Sequence, residues 1–365
     1  MADSSLATAF PPLNAPGRRR LLAWYATGRR ALPWRATGDP YAVWLSEIML
    51  QQTQVETVVP FYERFLERFP TIEALASAPL EEVLKAWENM GYYSRARHLH
   101  EAAALIVERH QGQLPDRWET IIRLPGIGRY TAGAILSIAF GQPLPAVDGN
   151  VRRVISRLFA LEEPVDTPSA GEAIERMLAP LIPKREPGLF NQALMELGAL
   201  TCKPRNPDCP VCPLADFCRA KALDRTAQLP VRNRRRPVPH REVAAAILGD
   251  ERGRLLIVRR PAAGLLGSLW KFPGGILMPG EPLAEGLRRT VQEELDAEIT
   301  VGPEITAVKH AYTHFRITLT AFSCSFANGR PELPDNRWRW AARPELNALP
   351  FSRADRLIAL ALDPK

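Results

Sequence analysis

The sequence predicts a multidomain chain, with an all-α first domain followed by an α+β second domain, and three observations carry that prediction. Up to about residue 228, apolar residues recur every three or four positions, the helical period, and no convincing alternating stretch interrupts them. Beyond residue 242, short β-type runs surround a single helical stretch. Between these textures, Arg219 to Glu242 holds eight Lys or Arg against two acidic residues, nearly all of the net charge of +7, along with Pro230, Pro237 and Pro239. At 365 residues and 46% apolar side chains, the chain can bury two cores. The expected domains are 1–228 and 242–365, joined by a basic, proline-rich linker over 229–241.

Taken in order, Met1 to Pro16 lacks a basic start followed by an apolar run, so it reads as a disordered lead and not a signal peptide. Helical periodicity then marks Val55 to Phe69, Arg95 to His110, Tyr130 to Phe140, Val151 to Leu161 and Gly171 to Leu181, separated by Pro and Gly clusters. No apolar run approaches the eighteen or so residues a membrane helix needs, so no membrane partner is expected. The expected compartment is the cytoplasm, near the nucleoid of a bacterial cell, and the expected state is a monomer. The run Arg234-Arg235-Arg236 reads as an extended strap, either a soluble tether or a neutraliser of phosphates. In the second half, Val243 to Leu248 and Leu255 to Val258 flank Asp250-Glu251-Arg252-Gly253, a hairpin signal. Gly274-Gly275 precede a helix from about Pro282 to Leu295, and Phe315, Ile317 and Leu319 alternate with polar residues as a strand does.

Four of the five cysteines, Cys202, Cys209, Cys212 and Cys218, lie within seventeen positions in the spacing C-x6-C-x2-C-x5-C. Nothing upstream looks secretory, which weighs against disulfides. Four clustered thiolates form a soft S4 set suited to iron–sulfur or zinc. Structural zinc usually takes two short Cys pairs, whereas here one C-x2-C pair is flanked by single outriders. The spacing points to a [4Fe–4S] cluster.

Two carboxylates stand out. If Trp44 to Val55 is helical, Glu47 has Val43, Trp44 and Leu50 as its helical neighbours. An acid on an apolar face is costly unless neutral or paired, and burial raises its pKa until it can donate a proton near neutrality. A salt bridge to Arg35 is the structural alternative. Asp148, in Val147-Asp148-Gly149-Asn150, opens a helix as an N-cap, where the helix dipole keeps a carboxylate ionised. A proton donor and a fixed carboxylate are what breaking a glycosidic bond requires. Just upstream, Leu124-Pro125-Gly126-Ile127-Gly128-Arg129-Tyr130 joins two helical segments. Its glycines allow a tight turn whose free N–H groups can hold a phosphate without reading sequence.

The L-P-G-x-G turn, the aspartate beyond it and the cysteine spacing together resemble the endonuclease III superfamily of helix–hairpin–helix DNA glycosylases. Within it, Leu32-Pro33-Trp34-Arg35, Trp44 to Val55, Gly91 to Arg97 and Phe190-Asn191-Gln192-Ala193-Leu194-Met195 resemble the adenine DNA glycosylase (MutY) family. The resemblance implies a monofunctional enzyme of base excision repair that removes adenine mispaired with 8-oxoguanine or guanine in duplex DNA. It implies Glu47 as the acid that protonates adenine and Asp148 as the stabiliser of an oxocarbenium-like sugar. Tyr130 stands where bifunctional relatives carry a lysine, and tyrosine forms no Schiff base. Tyr130 and Asn150 would surround the water and sugar, and Arg35 and Gln192 would line the pocket of the flipped adenine. Gln52, Thr53 and Tyr92 would enter the duplex near the opposite base. Leu124, Gly126 and Gly128 would form the hairpin against the backbone.

The second domain resembles a Nudix fold. Gly275, Glu281, Arg289, Val291, Glu293 and Glu294 fit the box G-x5-E-x7-R-E-U-x-E-E-x-G-U, but Thr290 replaces a glutamate and Asp296 a glycine. Magnesium-assisted pyrophosphate chemistry needs the full carboxylate set, so this domain reads as a base-recognition module, and the resemblance implies that the base is 8-oxoguanine. In the family the recognition loop often reads Phe-Ser-His; here Tyr312-Thr313-His314 keeps an aromatic, a hydroxyl and a histidine. Two readings of another class compete. A Nudix pyrophosphohydrolase with an appended DNA-binding domain is opposed by Thr290, and a non-catalytic iron–sulfur damage sensor by the presence of both Glu47 and Asp148.

Overall fold

The structure is a computed structural model describing residues 13–233, 237–329 and 337–362. By their contacts the residues form two compact units. One comprises the chain up to Ala76 together with Glu101–Arg235, the other Ser77–His100 together with the chain from Arg236 onward.

The first unit is helical, and its principal helices are Ala15–Gly28, Pro40–Leu50, Val55–Arg68, Arg129–Ile138, Gly149–Phe159, Pro168–Leu178 and Pro187–Leu200. The lead expected through Pro16 ends earlier. Leu13 is fully buried and the Asn14 side chain caps the first helix by accepting from Gly17 N–H; residues 1–12 lie outside the described residues. Val151, Val154, Ile155 and Leu158 make an apolar stripe that packs with Leu21, Tyr25, Phe190, Leu194 and Leu197 into one core. Cys202, Cys212 and Cys218 pack against the same core, so the cysteine loop is seated on the helices that carry Asp148 and Gln192. The basic stretch is less extended than its composition suggests. Arg219–Ala222 forms a helical turn, Leu229 is 1% exposed, and Arg157 donates to the carbonyls of Thr226 and Leu229. Arg234-Arg235-Arg236 lies outside the described residues.

The second unit holds strands β1 (His240–Leu248), β2 (Leu255–Arg259), β3 (Trp270–Lys271), β4 (Gly274–Ile276), β5 (Ile299–Ala311), β6 (Arg316–Phe326) and β7 (Trp338–Ala341). They form two sheets, in the orders β4-β1-β6-β5 and β3-β2-β7, with β1 and β6 parallel and the other pairs antiparallel. The expected hairpin is therefore only a turn. Asp250 accepts from the backbone N–H groups of Arg252 and Arg254, but β1 and β2 then diverge into different sheets, joined by the single bridge Gly249–Leu255. Strand β1 reads as a continuous apolar run because both of its faces are covered: Ala245 and Ile247 enter one core, Ala244, Ala246 and Leu248 the other. Helix Leu283–Leu295 closes the second core with Leu287, Val291 and Leu295.

Residues 77–100 pack within this unit, whereas linear boundaries of 1–228 and 242–365 place them with the first. Arg356 bonds Glu88 at 2.7 Å, the Tyr93 hydroxyl donates to the Phe351 carbonyl at 3.2 Å, and the Trp270 indole donates to Glu81 at 3.3 Å. Helical periodicity reveals a helix's apolar face but not which core that face meets. Among the described residues, no helix is long and apolar enough to cross a membrane.

Candidate active site and cluster loop

Helix Pro40–Leu50 begins with the Asp39 side chain accepting from the N–H groups of Tyr41 and Ala42, and with Pro40 in its first turn. Tyr41 to Met49 are all buried, so Glu47, 5% exposed, has no aqueous face of its own. It opens instead onto a cavity of about 970 Å³, also lined by Arg35, Tyr130, Asp148, Asn150 and Gln192. Burial lifts the Glu47 carboxyl to about 7; the Tyr130 hydroxyl, donating to Oε2 at 2.5 Å, opposes the rise, the Asp148 charge reinforces it, and the Arg35 charge opposes it. Arg35 is not held by Glu47. Its guanidinium is bidentate on Glu196, at 3.0 and 2.8 Å.

Asp148 is the N-cap of helix Gly149–Phe159, with Oδ1 accepting from Val151 N–H at 2.7 Å and Oδ2 from the Asn150 amide at 2.8 Å. The helix start, expected to keep this carboxylate ionised, is opposed by burial. Burial pushes its pKa above the ordinary value, against the pull of the Val151 N–H, the Asn150 amide and the Arg153 charge. Asn150 accepts in turn from Arg153 at 2.7 Å, and Arg153 donates to the Cys202 carbonyl at 2.7 Å. Gly198 makes this corner possible, since a Cβ there would come within 2.6 Å of the Asn150 side chain. Elsewhere in the cavity lining, Gln192 Oε1 accepts from the Tyr25 hydroxyl at 2.7 Å, and the Arg35 guanidinium stacks over the Tyr25 ring at 5.4 Å. Sequence reasoning missed Glu196, Arg153, Tyr25 and Gly198, none of which carries a local signal.

Leu124 is buried and anchors the hairpin, and Gly126 has φ +77°, a conformation that favours glycine. Gly128 is the N-cap of helix Arg129–Ile138 and makes no side-chain capping bond. The first N–H groups of that helix thus have no capping side chain competing for them. Gln52 and Thr53 also line the cavity. Gln52, at φ +57°, and Tyr92, at φ +49°, both stand in the left-handed region, a strain of about 1–2 kcal/mol for a non-glycine residue.

Tyr92 belongs to the second unit, where its hydroxyl is hydrogen-bonded to that of Thr313. Both line a cavity of about 360 Å³ with Tyr312 and His314. Tyr312 faces inward, its ring 4.9 Å from Phe315 and 4.6 Å from His310, while Thr313 and His314 are exposed. In the Nudix box, the Thr290 hydroxyl is spent within its own helix on the Gly286 carbonyl at 2.8 Å, and Asp296 takes the left-handed C-cap at φ +50° that the expected glycine would fill. Glu281 is bonded by Arg289 at 2.7 Å and Glu294 by Lys271 at 2.6 Å.

The four thiols of the cysteine loop line one small cavity and are free of disulfides. Burial raises the Cys209, Cys212 and Cys218 thiols, Cys212 to about 12, and the neighbouring sulfurs raise them further, so a cationic group is needed to hold these three as thiolates. Arg157 donates to Cys202 Sγ at 3.3 Å, the kind of outer bond that tunes a cluster. Four cysteine thiols gathered around one small cavity are the donor set that a [4Fe–4S] cluster takes.

Residues 45–180 match the family of HhH-GPD superfamily base excision DNA repair proteins, residues 202–218 the iron-sulfur binding domain of endonuclease III, and residues 243–361 the NUDIX domain. A solved thermostable thymine-DNA glycosylase superposes with TM-score 0.52 at 30% identity, covering 56% of this chain and 95% of its own. A trapped endonuclease III–DNA covalent intermediate superposes with TM-score 0.50 at 27% identity, covering 57% and 94%. The fold and site thus define a helix–hairpin–helix DNA N-glycosylase with a [4Fe–4S] cofactor and a C-terminal Nudix-like domain, acting on DNA in base excision repair. The chain belongs to the adenine DNA glycosylase family. It is 37% identical to the adenine DNA glycosylase of Rattus norvegicus over 88% of this chain and 73% of the relative, and 35% identical to that of Homo sapiens over 92% and 72%. Identity to the adenine DNA glycosylase of Buchnera aphidicola subsp. Baizongia pistaciae (strain Bp) is 36% over 69% and 72%.

Proposed function

We propose that this adenine DNA glycosylase acts on adenine paired with 8-oxoguanine or guanine in duplex DNA, as a monomer, and hydrolyses the N-glycosidic bond without cleaving the strand. The single observation that carries this reading is the Glu47 carboxyl, raised to about 7 by burial at the wall of a cavity it shares with Asp148. Adenine leaves poorly until protonated; a neutral Glu47 supplies that proton to the base after the nucleotide is flipped from the stack. Asp148 then faces the positive charge that develops on the sugar. Tyr130 holds the Glu47 carboxyl and Asn150 the Asp148 carboxyl, each by a hydrogen bond, and both would border the water that completes hydrolysis. Arg35 and Gln192 would bind the extruded base. Gln52 and Thr53 of the first unit, and Tyr92 of the second, would each enter the duplex near the opposite base, and the Leu124–Gly128 turn would grip phosphate.

Cys202, Cys209, Cys212 and Cys218 would hold the cluster, which when bound clamps the loop carrying Lys203, Arg205 and Arg219 for DNA contact. In the second unit, Thr313 and His314 would hydrogen-bond the damaged purine, since both are exposed and Thr313 is tied to Tyr92. Lys271 and Arg289 neutralise the remaining box carboxylates, which supports recognition and not magnesium-dependent hydrolysis as the task of that unit. The test is product analysis on a duplex holding one A·8-oxoguanine pair. Free adenine should appear together with a strand that breaks only after alkali, and borohydride should trap no covalent adduct. Efficient trapping through a lysine would refute the monofunctional reading.

A further inference from the structure

Glu196 lines the same cavity as Glu47, and the mechanism above leaves it without a role. Its side chain is 1% exposed and accepts from Arg35 at 3.0 and 2.8 Å, from the Arg30 side chain at 3.1 and 2.8 Å, and from Arg30 N–H at 2.9 Å. Burial works against its charge, yet the bonds from Arg35 and Arg30 prevail and hold the carboxyl down to about 2. Three charged or polar groups act on Glu47. Tyr130, from helix Arg129–Ile138, donates a hydrogen bond and favours the carboxylate; Asp148, capping helix Gly149–Phe159, opposes it; Arg35, from the turn Pro33–Arg35, favours it. Arg35 is the one cation among these three, and both of its bonds to a carboxylate go to Glu196.

We propose that Glu196 is a positioning residue for base excision: it ties the Arg35 guanidinium to itself and so offsets the counter-charge that Arg35 presents to Glu47. The inference rests on the reading of Glu47 as the proton donor. Without the Glu196 carboxylate, Arg35 stays cationic, and its uncompensated field stabilises the Glu47 carboxylate. Without Arg35, Glu47 loses the one cation that favours its carboxylate and the Glu196 charge is balanced only by Arg30, so both changes push Glu47 the other way. The two losses therefore have opposite signs, and removing both restores the balance.

The test is single-turnover adenine release by the full-length, cluster-loaded protein between about pH 5 and 9, where a required acid gives a rate that falls as pH rises through its pKa. The parent should fall around 7. In Glu196→Gln the fall should move down by about one unit, so excision is roughly tenfold slower on the alkaline side and within a few-fold of the parent at the acid end. In Arg35→Gln the fall should move up, and in the double variant it should return to the parent position, whatever the absolute rates. A purely structural Glu196 would slow excision evenly at every pH. Should Glu196→Gln not fold, Arg35→Gln and the double variant still decide, because coincident falls in those two would mean that Glu196 exerts no field. If the parent has no such fall, or Glu47→Gln retains it, the reading of Glu47 fails. If the fall is present and lost in Glu47→Gln, yet unmoved by Glu196→Gln and Arg35→Gln, only the inference about Glu196 fails.

Discussion

Glu47 and Asp148 in the first unit are bonded by a hydroxyl, an amide and a backbone N–H, whereas Glu281 and Glu294 in the second are bonded by Arg289 and Lys271. The consequences run in opposite directions. Burial without a bonded cation raises both carboxyls of the first pair, while the Arg289 bond holds Glu281 down to about 2. A carboxylate bonded to a basic partner stays ionised and holds that partner in place. One left with neutral partners at a cavity wall keeps a proton or a charge to offer a substrate. Within one chain, carboxylates of the same type are thus set apart by the company each keeps.

The comparison is broken most severely at Asp148. If it faces developing positive charge, Asp148→Asn keeps the helix cap and loses the charge, and single-turnover excision should drop about 10²–10³-fold with duplex affinity nearly intact. Excision within a few-fold of the parent would make Asp148 only a cap. A smaller effect is expected at the exposed loop of the second unit. Replacing Tyr312, Thr313 and His314 by alanine should leave adenine removal in place while the preference for 8-oxoguanine over guanine opposite that adenine falls roughly tenfold. Truncating the chain near Arg241 tests this less cleanly, because it also strips Glu88, Tyr93 and Glu81 of their partners Arg356, Phe351 and Trp270. The smallest effect is at the carboxylates of the second unit. Lys271→Gln should lower the melting temperature of the second unit by several degrees, as the loss of a partly buried pair costs on the order of 2 kcal/mol, with excision unchanged. Magnesium-dependent cleavage of 8-oxo-dGTP by the parent would contradict the assignment of Lys271 as a fixed internal cation.

How far the sequence reveals this arrangement depends on the range of each interaction. Glu47 is legible because an acid set among Val43, Trp44 and Leu50 at helical spacing must be buried, and Asp148 because a cap is a local feature. The cysteine quartet is legible from spacing alone. Glu196 is not, since its partners lie 161 and 166 positions away and only the fold brings them to it. Lys271, 23 positions from Glu294, is hidden in the same way. Residues 77–100 show their helical period but not the core they join, and the turn at Asp250–Gly253 specifies a reversal without specifying that β1 and β2 enter different sheets.

Glu47 carries the central claim, and the most direct measurement is single-turnover adenine release from an A·8-oxoguanine duplex by the parent and by Glu47→Gln, with duplex affinity measured alongside. Glutamine keeps the shape and the Tyr130 contact but supplies no proton, so excision should fall by about 10²–10⁴-fold while binding changes little. Excision by Glu47→Gln within about tenfold of the parent rate would contradict the account.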